Sequence, residues 1–114
     1  IENLLASKEL YIAKYYLERD KWIPAINRLK TILEIYDETI YVEEAIHRLV
    51  EVYYKIGLEE ESKKYAKLLG YNYLSSSWYE ESYRVFNKNY LNPKDQIKKN
   101  KKNKIIQSFK SLLE

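Results

Sequence analysis

A chain of 114 residues can bury one core but hardly two, so it reads as a single small domain. Two glycines and two prolines are too few for the tight turns of an all-β fold, and the lack of cysteine excludes disulfides, thiolate chemistry and cysteine-ligated zinc. The net charge is +3 but unevenly placed: residues 87–114 hold eight lysines against Asp95 and Glu114, a balance of +6 that leaves −3 for the remainder. No apolar run approaches the roughly 18 residues of a membrane span. Ile1 opens the chain with no methionine, signal peptide or lipidation site in view, which reads as a segment of a longer protein.

Apolar residues at three- and four-residue steps predict helices along most of the chain. The first runs from Leu4 to Arg19, with Leu5, Ile12, Ala13 and Tyr16 on its buried stripe. Asp20 is placed to cap the second, and Pro24 falls in its first turn, where a missing N–H does little harm. That helix continues through Ala25, Ile26, Leu29, Ile32 and Leu33 to about Tyr36. The third spans Val42 to Ile56 and ends at Gly57; the fourth spans Glu59 to Leu69 and ends at Gly70, both glycines read as left-handed terminators. Tyr71 to Ser77 reads as an irregular connection, and Ser77-Trp78-Tyr79-Glu80 as a capping box that starts a fifth helix ending near Asn89. A sixth begins at Asn92-Pro93 and carries the apolar stripe Ile105, Ile106, Phe109, Leu112 and Leu113. That stripe is expected to fold back onto the fifth helix near Trp78 and Phe86.

Two stretches of this pattern repeat each other 37 residues apart: Glu9 on Ile46, Ile12 on Leu49, Tyr16 on Tyr53, Ala25 on Ser62 and Ile32 on Leu69. A helix–turn–helix unit with a period near 34 residues is the mark of tetratricopeptide (TPR) repeats. The motif positions are Glu9, Ile12, Ala13, Tyr16, Ala25, Leu29 and Asp37 in the first unit. In the second they are Ile46, Leu49, Val50, Tyr53, Ser62, Ala66 and Leu74. Ala13, Ala25 and Ser62 stand where helices cross closely, at axis distances of about 8–10 Å. The expected fold is all-α, a right-handed superhelical array. Residues 1–74 form two TPR-like helix pairs, and residues 75–114 a degenerate third pair with a basic amphipathic C-terminal capping helix. Such arrays hold other chains on a concave surface.

The run Lys8-Glu9-Leu10-Tyr11-Ile12-Ala13-Lys14-Tyr15-Tyr16, with Trp22, Ala25-Ile26-Asn27-Arg28 and Tyr36 after it, resembles the BamD family. These are the tetratricopeptide lipoproteins of the outer-membrane β-barrel assembly machinery. The later residues Leu69-Gly70-Tyr71-Asn72-Tyr73 and Ser77-Trp78-Tyr79-Glu80-Glu81-Ser82-Tyr83-Arg84 resemble the alphaproteobacterial form. The resemblance covers Lys8 to Phe86 and implies the C-terminal half of such a protein. It implies a periplasmic location at the outer membrane, a lipid anchor upstream, and docking of the periplasmic POTRA region of BamA for outer-membrane protein insertion. Within the matched Asn27-Arg28 pair it implies that Arg28 faces that partner, with Asn27 beside it.

Read from the repeat alone, the first helix of each pair lines the concave face. That places Leu10, Lys14, His47, Glu51 and Tyr54 in a binding groove, and Glu51 there disfavours a carboxylate clamp. A TPR peptide-binding adaptor of another pathway is therefore the alternative reading. An enzyme has little to stand on. His47 is the sole histidine, and its neighbours Glu43 and Glu51 suit ion-pair decoration of a helix better than a metal or acid–base site. Gly57 and Gly70 stand alone, so there is no glycine-rich phosphate loop, and no cofactor is expected. The lysines from Lys94 to Lys104 suit a solvated face first, anionic lipid or an acidic protein second, and nucleic acid least, since no arginine or aromatic is interleaved with them.

Overall fold

A computed structural model of the chain describes residues 1–74, 76–88 and 93–113, with side-chain surroundings given for the last segment from residue 100 onward. Its helices are α1 (Glu2–Glu18), α2 (Trp22–Ile35), α3 (Val42–Lys55), α4 (Glu59–Tyr73), α5 (Ser77–Phe86) and α6 (Pro93–Leu113), with no strand among the described residues. The expected all-α fold is present. Pro24 sits in the first turn of α2, as its missing N–H requires.

The helices α1 and α2 pair, as do α3 and α4, and α3 packs in addition on α2 and α5. This central position is why α3 buries Val42, Ala45, Ile46, His47, Leu49, Val50, Val52 and Tyr53, more than any other helix among the described residues. The 37-residue correspondence holds in three dimensions for the second helix of each pair. Ala25 and Ser62 are both fully buried, as are Ile32 and Leu69, while Leu29 and its counterpart Ala66 are also enclosed. The Ser62 hydroxyl donates to the Val50 carbonyl at 2.7 Å, which satisfies a polar group that would otherwise be costly at the α3–α4 crossing. In α1 the buried stripe differs from the expected one. Ala6, Leu10 and Ala13 are inside, whereas Leu5 is exposed and Ile12 and Tyr16 are only half-buried. The reason is that α1 packs mainly against α2, while its counterpart α3 has neighbours on several sides.

The turns within the two pairs are built alike. After α1, Asp20 takes φ 58°, Lys21 N–H donates to the Tyr16 carbonyl at 2.9 Å and Asp20 N–H to the Leu17 carbonyl at 3.2 Å. After α3, Gly57 takes φ 92°, Leu58 N–H donates to the Tyr53 carbonyl at 2.8 Å and Gly57 N–H to the Tyr54 carbonyl at 3.1 Å. Both are Schellman terminations, with the left-handed residue one position past the cap. Gly57 therefore ends α3 as expected. Asp20 does not cap α2: it closes α1, and the residue preceding α2 is Lys21, with no side-chain cap.

Two further expectations are corrected at α4 and α5. Gly70 does not end α4, which continues to Tyr73. It instead admits the Tyr79 ring, whose Cε2 would lie 2.7 Å from a Cβ at this position. The cap of α5 is Ser76 rather than Ser77: its hydroxyl oxygen accepts from Trp78 N–H at 3.1 Å and its hydroxyl donates to Glu43 at 2.7 Å. That second bond ties the start of α5 to the start of α3. The apolar stripe of α6 does not fold against α5 either. Ile105, Phe109, Leu112 and Leu113 are exposed, while Trp78 lies against His47 and Phe86 meets Tyr54 edge-on at 5.3 Å. The expected start of α6 at Asn92 and the end of α5 near Asn89 fall outside the described residues.

Candidate partner-binding surface

Helices α1, α3 and α5 share one side of the array, and a continuous chain of charges runs along it. Lys14 Nζ on α1 lies 2.5 Å from Glu44 Oε2 on α3, and Arg48 Nε reaches the same oxygen at 3.4 Å. Arg48 Nη1 then donates to Glu51 Oε1 at 3.0 Å, and the same oxygen lies 2.6 Å from His47 Nε2. The spacing 44, 48, 51 places the three α3 residues on one helical face, so the ladder follows from three- and four-residue steps. Burial pushes the Glu51 carboxyl up, but the hydrogen bond from His47 and the charges of His47 and Arg48 outweigh it and hold the group below its ordinary value.

At the Arg48–Glu51 end of this ladder the surface opens into a groove of about 490 Å³. Leu17 and Trp22 border it from the first pair, Arg48, Glu51, Val52, Tyr54 and Lys55 from α3, and Val85 from α5. Its borders flank both Schellman turns, Leu17 and Trp22 around Asp20, and Tyr54 and Lys55 ahead of Gly57. The Lys55 ammonium lies 5.2 Å from the centre of the Trp22 ring, within cation–π range. The groove thus presents aromatic and aliphatic area edged by the charges of Lys55, Arg48 and Glu51, which suits a peptide segment.

His47 joins this face to α5. It is buried, its Nδ1 lies 2.9 Å from Ser82 Oγ, and its ring centre is 5.0 Å from that of Trp78. Serine, histidine and carboxylate in hydrogen-bonded order is the arrangement of a nucleophile, a base and an orienting acid. Here Ser82 has no exposed surface, so no substrate reaches its oxygen. The set is a satisfied polar joint between α3 and α5.

Arg28 stands elsewhere, on α2. Its Nη1 donates to both carboxylate oxygens of Glu9, at 3.2 and 3.1 Å, with the arginine side chain 42% exposed. Nε and Nη2 have no partner among the described residues. Asn27 beside it is exposed, and its carbonyl accepts from Thr31 Oγ1 at 2.9 Å. Arg28 is therefore not a surface arginine solvated by water alone, but one held in place by a neighbouring helix.

Of the residues placed in the groove from sequence, Lys14 and Glu51 belong to one ion-pair ladder, His47 lies beneath it, and Tyr54 is at the groove's border. Leu10 is a correction: at 4% exposure it is core, because it points between α1 and α2 rather than outward. Sequence reasoning missed Glu44 and Arg48, the centre of the ladder, and Trp22 and Lys55. The i, i+4 spacing of Glu44 and Arg48 is the signal that marks the first two. Trp22 and Lys55 are joined only by tertiary packing. Among the described residues no group of His, Asp and Glu could hold a metal ion, and no helix is long and apolar enough to cross a membrane.

Comparison with known proteins supplies the wider setting. The family model YfiO, described as an outer membrane lipoprotein, matches residues 1–69. The outer membrane protein assembly factor BamD of Rickettsia prowazekii is 44% identical over 92 residues, which cover 81% of this chain and 36% of that protein. BamD of Caulobacter vibrioides is 41% identical over 93 residues, covering 82% of this chain and 30% of that protein. BamD of Vibrio cholerae is 31% identical over 72 residues, covering 63% and 30%. No solved structure matches the chain. The chain spans about a third of the length of the curated relatives it matches. On the match across its two helix pairs, the chain belongs to the BamD-like YfiO family of outer membrane lipoproteins, a family of TPR-like helical repeats.

Proposed function

We propose that this chain is a non-catalytic TPR scaffold of the β-barrel assembly machinery, docking the periplasmic POTRA region of BamA at the outer membrane. The relatives' role as outer membrane protein assembly factors supports the pathway, and the buried position of Ser82 supports a structural rather than chemical task for the His47 network. The protein to which this segment belongs would carry its lipid anchor upstream, and residues 75–114 would follow the two pairs as a degenerate third unit whose α6 leaves its apolar stripe uncovered. The same machinery supplies its other subunits as partners.

The observation that carries the reading is the state of Arg28. Glu9 holds Nη1 and so orients the guanidinium, while Nε and Nη2 remain available on an exposed rim next to Asn27. A planar fork fixed on one edge and open on the other matches an incoming carboxylate. The test separates this role from the internal pair. Arg28→Glu removes both, whereas Glu9→Arg with Arg28→Glu restores the internal pair with its polarity reversed. Both variants should lose POTRA binding by about tenfold or more, since breaking one side of a desolvated charge pair costs about 2–5 kcal/mol. POTRA binding at wild-type strength by the folded double variant would sink the assignment. The groove favours a second reading, a peptide-binding adaptor. In that case Tyr54→Ala would weaken capture of an extended peptide while Arg28→Glu would not.

A further inference from the structure

The apolar stripe of α6 lies exposed, on a stretch of helix that carries lysines and no acidic residue. Ile105, Phe109 and Leu112 follow one another at four- and three-residue steps, Ile106 and Leu113 stand beside them, and Leu112 and Leu113 are 84% and 75% exposed. At 3.6 residues per turn, Lys101 and Lys110 fall on the two flanks of this stripe, and Lys102 continues it one turn earlier. The opposite side carries Asn100, Asn103, Lys104, Gln107 and Ser111. No acidic residue occurs between 100 and 113, and Lys101, Lys102, Lys104 and Lys110 form no ion pair with a described residue. In the body of the array, by comparison, Lys14, Arg28, Arg48 and Arg84 are each matched with glutamate, and acidic residues are interspersed with the basic ones.

We infer that α6 is a membrane-surface helix that lies on an anionic phospholipid leaflet. Its apolar stripe enters the headgroup boundary, and its flanking lysines keep their ammonium groups at the phosphates. The inference rests on the proposed outer-membrane setting. Two features of the helix select lipid over other occupants. A second copy of the stripe would bring lysine flanks against lysine flanks with no carboxylate to offset them. A nucleic-acid backbone would take the lysines but leave five large apolar side chains uncovered. A lipid surface satisfies both at once, and the family's description as outer membrane lipoproteins puts one within reach.

The test uses the full 114-residue chain. Flotation is compared on vesicles of phosphatidylcholine alone and of phosphatidylcholine with ~30 mol % phosphatidylglycerol, since anionic headgroups attract basic helices. The chain should bind the anionic vesicles about tenfold more strongly, with weakening but not loss as salt is raised. Phe109→Asp should reduce that binding by about tenfold, as it sets a charge in the middle of the stripe. Replacing Lys101, Lys102 and Lys110 together by Gln should erase the preference for anionic vesicles. Circular dichroism checks that the variants stay folded, and POTRA binding by Phe109→Asp should be unchanged. The inference is overturned by flotation of Phe109→Asp equal to the wild type, or by the absence of any anionic preference. It is equally overturned by a lipid-free dimer in sedimentation that Phe109→Asp dissociates, which would make the stripe an interface between copies, or by tighter binding to RNA than to vesicles. Failure of the wild-type chain to bind the POTRA region while it floats on anionic vesicles would instead refute only the docking proposal.

Discussion

Replacement of Gly57 by alanine tests the turn on which the groove depends. At φ 92° the residue sits in the left-handed region, and nothing lies within 4 Å of where a Cβ would be. Any loss is therefore a backbone effect and not a clash. An L-residue in a left-handed conformation costs roughly 1–2 kcal/mol. Alanine also narrows the unfolded ensemble, which returns about 0.4–1 kcal/mol. The net destabilisation should be close to 1 kcal/mol, or about 4 °C in melting temperature for a domain of this size. The equivalent turn 37 residues earlier supplies the internal control. Asp20, at φ 58°, already bears a side chain there, and aspartate tolerates the region better than most residues. Asp20→Gly should therefore move stability by no more than about 0.5 kcal/mol, because relief of backbone strain and added unfolded-state entropy nearly cancel. Gly57→Asp should fall between the wild type and Gly57→Ala. The assay is urea unfolding followed by helical circular dichroism. If Gly57→Ala unfolds at the wild-type urea concentration with an unchanged slope, the two turns are not Schellman terminations of equal construction.

Two further changes probe other contacts. Gly70→Ala places a Cβ 2.7 Å from the Tyr79 ring and should destabilise by about 1–2 kcal/mol despite alanine's better helix propensity; Tyr79→Ala in the same chain should abolish that sensitivity, and thermal unfolding of the single and double variants decides. Glu51 is held below its ordinary pKa, so its contribution to stability is complete above about pH 4.3, the unfolded value, and fades as pH falls through the lower folded value; Glu51→Gln should flatten that acid limb in melting curves, and an unchanged acid limb would remove the His47–Arg48 network as its cause.

What the sequence by itself determined was the helices and the repeat, both carried by period, though not the buried face of α1. The three- and four-residue steps were enough for the helices. The 37-residue interval was enough for the repeat and its small crossing residues, because Ala25 and Ser62 meet the same steric limit in each unit. Gly57 was legible as a terminator, since left-handed backbone selects glycine locally. Other features depended on which neighbour arrives in space. Gly70 carries the same residue type as Gly57, yet it lies inside α4 and makes room for a ring from α5. Leu10 follows the pattern of an outward position but is buried in the core, because α1 packs mainly against α2. Asp20 and Ser77 look like caps, but a cap is a hydrogen bond to a particular N–H, and the structure gives that bond to Ser76. The site follows the same division. Glu44, Arg48 and Glu51 share a face by helical spacing, whereas Lys14, Trp22 and Ser82 join them from other helices, and only the packing of α1, α2 and α5 around α3 brings those side chains within reach.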